Sequence, residues 1–387
     1  MRSIRFLLAL VLAGGLALPA AAFETNARAA YVMDMTTGTV LLDKNGDVPL
    51  PPASMSKLMT LYVAFEAVRE GQLSLDERLP VSEHAMSYGG STMFLDTTDR
   101  VRVEDLLRGI VVLSGNDACA VIAEALSPDG TEAGFARFMT RRAERMGLTS
   151  SVFKNASGWP ADGHVMSMRD LAILSQRIIE DFPEFYEMFA EREFRFDGRA
   201  PSNIYNRNPL LGLDIGVDGL KTGHTQQAGY GLAASASQGD RRVIFAISGL
   251  DSAGARAREG EAIINWAFRQ FTRKSVLQAG AEVARAPVWM GATRTVGLAP
   301  AEDLDTLLPA LGGDTVAAEV VYTGPIRAPV TEGDRLAELV LKPDGLPETR
   351  VPLFAGETVA QGGFMQRLQI VSGRLAQRLW RNIEGPL

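Results

Sequence analysis

A serine stands three residues ahead of a lysine in "PASMSKLMT", residues 52–60, and no earlier stretch of this 387-residue chain offers side chains so suited to chemistry. Met55, Leu58, Met59, Tyr62, Phe65 and Val68 recur at helical spacing, which predicts an amphipathic helix from Met55 to Glu70. Pro51 and Pro52 suit a chain entering that helix. One reading makes Ser54 a helix cap and Lys57 a solvated side chain. The other puts both on one face, where the amine can take the hydroxyl's proton and make it a nucleophile. Lysine serves as that base only when burial or a nearby cation lowers its pKa. A second cation and a route for protons to a leaving group must then come from elsewhere in the chain.

Two further segments supply candidates. "VVLSGNDACA" places Ser114, Gly115 and Asn116 in a turn between helical runs. "VDGLKTGHTQQAGYGL" places Lys221, Thr222, Gly223 and His224 on a strand, where a glycine is costly unless another backbone or a ligand must approach closely. S-x-x-K, S-x-N and K-T-G, in that order on helix, turn and strand, are the three motifs of the penicillin-recognising serine enzymes. Singly each is common; the ordered set is specific.

These motifs need elements to hold them. "YVMDMTTGTVLLDKNGD" reads as two short strands around a Thr-Thr-Gly turn, with a second turn at Asn45-Gly46. Helical patterns follow at Met55 to Glu70, Val103 to Val112, Asp117 to Leu126, Glu132 to Met146 and Met168 to Glu180. Strand character returns in "GLKTGHT", "YGLAASAS" and "RRVIFAISGL", before a helix from roughly Arg256 to Phe271. Strands at both ends with helices between predict one α/β unit whose largely antiparallel sheet pairs the chain's two ends. Beyond Lys274, short β-prone runs broken by Gly and Pro predict a small all-β second domain.

The ends of the chain read differently. "MRSIRFLLALVLAGGLALPAAA" has the basic start, apolar run and A-x-A site of a secretory signal peptide, so cleavage is expected after Ala22 and the protein is expected to be exported. In "GGFMQRLQIVSGRLAQRLWRNIEGPL", Phe364, Leu368, Val371, Leu375 and Leu379 form a narrow helical stripe flanked by Arg367, Arg374, Arg378 and Arg381. That pattern fits a helix lying in a membrane interface, and equally a terminal helix packed on the second domain. The expected organisation is a signal peptide over 1–22, a catalytic domain over 23–271, a β-rich domain over 272–360 and an amphipathic helix over 361–387.

Composition narrows the function. A net charge of −7 gives no electrostatic footprint for nucleic acid. Cys119 is the only cysteine, so no intrachain disulfide can form, and its place in "ACAVIAEAL" predicts a buried thiol. His84, His164 and His224 lack metal-binding spacing.

From about Tyr31 to Phe271, through "LLRGIVVLSGNDAC", "VDGLKTGHT" and "AGYGLAASAS", the chain resembles the low-molecular-mass penicillin-binding proteins, which are serine-type D-alanyl-D-alanine carboxypeptidases. The resemblance continues more weakly through the β-rich domain to the C-terminal helix, which anchors such enzymes to the membrane. It implies a β-lactamase/transpeptidase-like domain, with an antiparallel sheet flanked by helices and a helical subdomain. It also implies a periplasmic enzyme on the outer face of the cytoplasmic membrane, acting on peptidoglycan stem peptides that end in D-Ala-D-Ala and acylated by β-lactams. No metal or organic cofactor is implied.

Residue by residue, the resemblance makes Ser54 the nucleophile and neutral Lys57 its base. Ser114 relays a proton to the departing amine, and Asn116 holds the substrate amide and Lys57. Lys221 stays cationic and depresses the Lys57 pKa. The backbone N–H groups of Ser54 and His224 form the oxyanion hole, Thr222 helps hold the terminal carboxylate, and Gly223 lets the peptide lie close along the strand edge. Arg207 and Arg256 fall where the family carries basic residues near the pocket, with Arg258 a rival to Arg256.

A class A β-lactamase shares the three motifs but needs a carboxylate in an E-x-x-L-N loop, which is absent between Ser114 and Lys221. A D,D-endopeptidase cleaving crosslinks would use the same residues. A non-enzymatic penicillin-binding scaffold would not need them intact.

Overall fold

The computed structural model describes residues 2–9, 23–311 and 316–364. The chain divides into two compact units, one spanning Ala22–Arg269 and the other running from Gln270 onward together with the N-terminal segment. The expected C-terminal helix, apart from its first residues through Phe364, lies outside the described residues. Among the described residues, no helix is long and apolar enough to cross a membrane.

The first unit is built on five antiparallel strands: β1 (Ala29–Asp34), β2 (Thr39–Lys44), β3 (Val217–Thr225), β4 (Gly229–Gln238) and β5 (Arg241–Leu250). Their order across the sheet is β2-β1-β5-β4-β3, so the hairpin near the start of the chain inserts beside the last strand. This is the pairing of chain ends that the sequence predicts. Every residue of β1 is buried, because both faces of the sheet are covered. Met33, Ile244 and Ala246 face a helical core with Leu171 and Leu174 of helix Met168–Asp181. On the other face Leu232 and Phe245 pack against Gly260 of helix Ala253–Arg269. The motif strand β3 lies at the sheet edge.

Helix α1 (Lys57–Arg69) runs through that helical core. It departs from the amphipathic helix expected, because Lys57 to Phe65 are buried without a break. A helix apolar nearly all round belongs inside a protein rather than on its surface. Ser54 precedes it in a single 3-10 turn, Ala53–Ser56, and its side chain caps nothing. The helical run expected from Val103 to Val112 also divides, into an α-helix Val103–Arg108 and a π-helical turn Gly109–Leu113. That turn ends with Ser114 in the left-handed conformation at φ +62°, from which α2 (Asn116–Leu126) starts. Helix α3 (Glu132–Arg145) follows, capped by Thr131 Oγ1, which accepts from Gly134 N.

The second unit is all-β, as expected. Six of its strands form a sheet in the order Ala317–Gly324, Arg335–Lys342, Thr349–Ala355, Thr295–Ala299, Ala284–Trp289 and Ile326–Arg327. Val296, Leu298, Val320, Leu339, Leu341 and Leu353 fill its core. The segment Arg2–Ala9 pairs antiparallel with Ala317–Gly324. That strand otherwise presents an open edge, which an extended apolar segment of the same chain can complete.

A buried ion pair fastens the first unit's sheet. Asp34, fully buried at the end of β1, lies 2.8 Å from Nη2 of Arg241 on β5 and accepts from the Thr37 amide and hydroxyl. Asp34→Ala leaves the buried guanidinium without its carboxylate and is expected to lower the unfolding free energy by about 3–5 kcal/mol. Urea denaturation of the variant beside the parent measures it, and a loss near zero would show that the pair does not fasten the hairpin.

Candidate active site

Three elements converge on the Lys57 side chain, which has no solvent exposure. The 3-10 turn supplies Ser54, whose Oγ lies 2.9 Å from Nζ. Residues i and i+3 eclipse in such a turn, so the pair meets although Ser54 is not part of α1. Helix α2 supplies Asn116, whose Oδ1 accepts from Nζ at 2.7 Å, and a loop supplies the Ser157 carbonyl at 2.5 Å. The Asn116 amide cannot turn round, because its Nδ2 donates to the Gly89 carbonyl at 2.8 Å.

This set of partners fixes what the nitrogen can do. Two of its three neighbours, a carbonyl and an oriented amide oxygen, can only accept. A neutral amine has two N–H donors and one lone pair, so with both donors engaged the lone pair faces Ser54 Oγ. Burial, and then the Arg207 charge, push the ammonium down to about 8, opposed by the acidic groups Cys119, Asp117 and Glu132. The protein thus brings the titration of this amine toward physiological pH, with its lone pair within reach of the hydroxyl when it is unprotonated.

The loop that offers the Ser157 carbonyl is held from several sides. Asn155 Oδ1 accepts from the backbone amides of Ser157, Gly158 and Trp159 at 2.8–3.1 Å. Thr60, one turn along α1 from Lys57, donates to the Ala156 carbonyl at 2.6 Å. The buried Glu132 carboxylate accepts from Ala156 N at 2.8 Å, and its other oxygen from Tyr88 Oη. Gly158, at φ +78°, lets this loop touch the nucleophile's turn, since a Cβ there would stand 1.9 Å from the Ala53 carbonyl. Sequence reasoning missed Asn155, Ser157, Gly158 and Glu132. The Asn-x-Ser-Gly run hints at a tight turn, but a residue acting through its backbone carbonyl leaves no side-chain signature.

The remaining predicted residues lie around this centre. Ser114 is 1% exposed and its Oγ has no hydrogen-bond partner among the described residues. Asp117, next to Asn116, takes the amides of Met93 and Leu95 on its carboxylate, which fastens the "TMFL" segment against α2. Arg207 donates to Ser91 Oγ and Asn203 Oδ1. Arg256 is buried and its Nη2 donates to the Arg207 carbonyl, whereas Arg258 is exposed. His224 is exposed and stacks on Tyr230, with ring centroids 3.9 Å apart, and the Arg256 guanidinium lies over the same Tyr230 ring. Cys119 is buried and unbridged, with burial pushing its thiol up to about 12.

Burial first, then the charges of Lys57, Arg207 and Arg256, push Lys221 well below the usual lysine range. Its repulsion with Lys57 disfavours charge on both amines, and the Arg207 charge lowers Lys57 further. Gly223 permits a close approach of the Ser54 turn. A Cβ at Gly223 would meet the Pro52 carbonyl at 2.8 Å and Met55 and Ala53 side-chain atoms at 3.1–3.2 Å.

Residues 17–252 match the family described as D-alanyl-D-alanine carboxypeptidase, and residues 271–361 match the Penicillin-binding protein 5, C-terminal domain. The chain is 35% identical over 354 residues to D-alanyl-D-alanine carboxypeptidase DacC of Escherichia coli (strain K12), covering 89% of this chain and 87% of that one. It is 32% identical over 356 residues to DacF of Bacillus subtilis (strain 168), covering 90% of each. Penicillin binding protein 5 from Haemophilus influenzae is a similar solved structure, with a TM-score of 0.76 and 31% identity over 90% of this chain and 100% of that one. Penicillin-Binding Protein D2 from Listeria monocytogenes, in an ampicillin-bound form, matches with a TM-score of 0.57 and 32% identity over 63% of this chain and 98% of that one.

The Lys57 environment predicts a pH profile. Only the unprotonated amine is a base, so acylation of Ser54 is expected to fall about tenfold per pH unit below a limb near 8 and to level off above it. Removing the Arg207 charge in Arg207→Gln raises the Lys57 pKa and moves the limb to higher pH. The rate of chromogenic cephalosporin acylation across that range measures both, and an unmoved limb would remove Arg207 from the electrostatics of the base.

Proposed function

The chain belongs to the D-alanyl-D-alanine carboxypeptidase family, and from that membership we propose how its residues carry out the reaction. The enzyme removes the terminal D-alanine of peptidoglycan stem peptides. The observation that carries the mechanism is the Lys57 nitrogen, with two acceptors holding its protons and Ser54 Oγ in the remaining direction.

Ser54 Oγ attacks the carbonyl carbon of the penultimate D-alanine as Lys57 takes its proton. The oxyanion is held by the backbone N–H groups of Ser54 and His224. Collapse breaks the C–N bond, and the proton leaves Lys57 through the Ser114 hydroxyl for the amine of the departing D-alanine. The Ser114 hydroxyl has no hydrogen-bond partner among the described residues, which leaves it available for that relay. Water then attacks the acyl carbon and returns a proton through Lys57 to Ser54. Lys221, Thr222, Arg207 and Arg256 hold the terminal carboxylate. An anion there favours the charged form of Lys221, which the protein alone disfavours. The substrate peptide adds to the edge of β3, whose outer side pairs with no strand among the described residues.

A β-lactam acylates the same serine, and its opened ring keeps the leaving amine tethered in the site. Export after removal of residues 1–22, residence in the periplasm and attachment to the membrane through residues 361–387 complete the proposal.

Release of D-alanine from N-acyl-L-Lys-D-Ala-D-Ala tests it. The parent is expected to release D-alanine and to gain one penicillin mass on the peptide containing Ser54, and Ser54→Ala to do neither. D-alanine release surviving Ser54→Ala would overturn the acyl-enzyme mechanism.

A further inference from the structure

Lys57 owes the direction of its lone pair to two acceptors, and the backbone that fixes each of them leads to one carboxylate. The first acceptor is the Ser157 carbonyl. Ala156, the residue before it, donates its amide to Glu132 Oε1 at 2.8 Å and takes the Thr60 hydroxyl on its own carbonyl. The backbone leading into Ser157 is thus held by both of its polar groups. The second acceptor is Asn116 Oδ1, oriented because Asn116 Nδ2 donates to the Gly89 carbonyl. Tyr88, the residue before Gly89, donates its hydroxyl to Glu132 Oε2 at 2.8 Å.

The carboxylate itself is fixed. Glu132 is the first residue of α3, directly behind the Thr131 cap, and is 6% exposed. His84 Nε2 lies 2.6 Å from the same Oε2 that takes the Tyr88 hydroxyl, so both oxygens are engaged. A carboxylate is kept out of water at low cost only when hydrogen bonds replace its hydration, and here the donors come from two separate segments. Those segments also touch each other. The Tyr88 and Trp159 rings meet edge to face, with centroids 6.1 Å apart, and a Cβ at Gly90 would stand 2.9 Å from the Trp159 ring. Ring contact holds the segments together, whereas directional hydrogen bonds to one rigid group set how each carbonyl points.

We infer that Glu132 is a positioning residue for acylation, holding both acceptors of the Lys57 amine through Ala156 and Tyr88 and so aiming its lone pair at Ser54. This rests on the reading of Lys57 as the base. Without the carboxylate the Ser157 carbonyl and the Asn116 amide are free to turn, and a turned amide offers Nζ a donor in place of an acceptor. Glutamine in place of Glu132 keeps the frame, because its carbonyl accepts from Ala156 and its amide donates to the Tyr88 oxygen. It lacks only the charge. Burial, and then Arg207, lower the Lys57 pKa, while Cys119, Asp117 and Glu132 oppose them, so loss of the Glu132 charge lets the amine deprotonate at lower pH. Position and charge are therefore separable.

Single-turnover acylation by a chromogenic cephalosporin, followed across pH, makes the test. The final amount of bound label counts the folded sites, so the rate constant is that of intact molecules. Glu132→Ala is expected to lower the plateau rate above the limb about thirtyfold, within the range that small misplacements of reacting groups cost. Tyr88→Phe, which frees only the Asn116 side, is expected to lower it about fivefold. Glu132→Gln is expected to stay within about threefold of the parent plateau and to move the limb to lower pH, so that it acylates faster than the parent below that limb. An unchanged plateau in Glu132→Ala, or one lost as fully in Glu132→Gln, overturns the positioning role. Where Glu132→Ala yields no labelled sites, Tyr88→Phe decides, and an unchanged plateau there overturns it. A parent profile with no limb overturns Lys57 as the titrating base, and the positioning role with it.

Discussion

Taking an ammonium-bearing side chain wholly out of water is costly unless its donors find partners, and the region around Lys57 is arranged to supply them selectively. An oriented amide from α2 and a carbonyl from the 155–158 loop fill two positions, and the third faces a hydroxyl. Replacing either acceptor with a donor would reverse the nitrogen's lone pair and leave Ser54 an ordinary alcohol. The chemistry therefore depends on which atoms surround one nitrogen, and much of the helical core serves to hold those atoms.

That holding is indirect. Glu132 touches neither Ser54 nor Lys57 directly, yet it ties Ala156 and so the neighbouring Ser157 carbonyl to the start of α3. Asn155 gathers three successive amides, and Gly158 lets the loop sit against the nucleophile's turn. Gly223 does the same from the sheet side. The turn bearing Ser54 is thus gripped between a loop and a strand, both of which have glycine where a side chain would collide. Such preorganisation keeps the reacting atoms in place without reorganisation during catalysis.

The fold was legible where a pattern reports a regular element. Strand-prone runs bounded by turns located the five strands, and the pairing of the first unit's ends followed from strands flanking helices. The chemistry-bearing side chains Ser54, Lys57 and Asn116 stood out through their spacing, and the structure brings these three together. What stayed hidden acts through the backbone or through burial. Ser157 contributes a carbonyl that every residue has. The all-round burial of α1 depends on what packs outside its apolar stripe, which its own sequence does not contain. The lowered pKa of Lys221 comes from burial and from neighbours distant in sequence, which its residue type does not show. The π-helical turn before Ser114 is likewise a local widening that apolar periodicity reads as continuous helix.

The sheet closes by joining a strand near the start of the first unit to one near that unit's end, with Asp34 and Arg241 separated by 207 residues. Contacts of such long range form late, because the entropy of closing the intervening loop must be met before the pairing stabilises anything. During synthesis from the N-terminus, the hairpin carrying β1 has to wait for β5 to emerge. Lys57 likewise waits for a carbonyl 100 residues downstream. The nucleophile is therefore unarmed on a partial chain, and the first unit acquires its reactivity only when nearly all of it has been made.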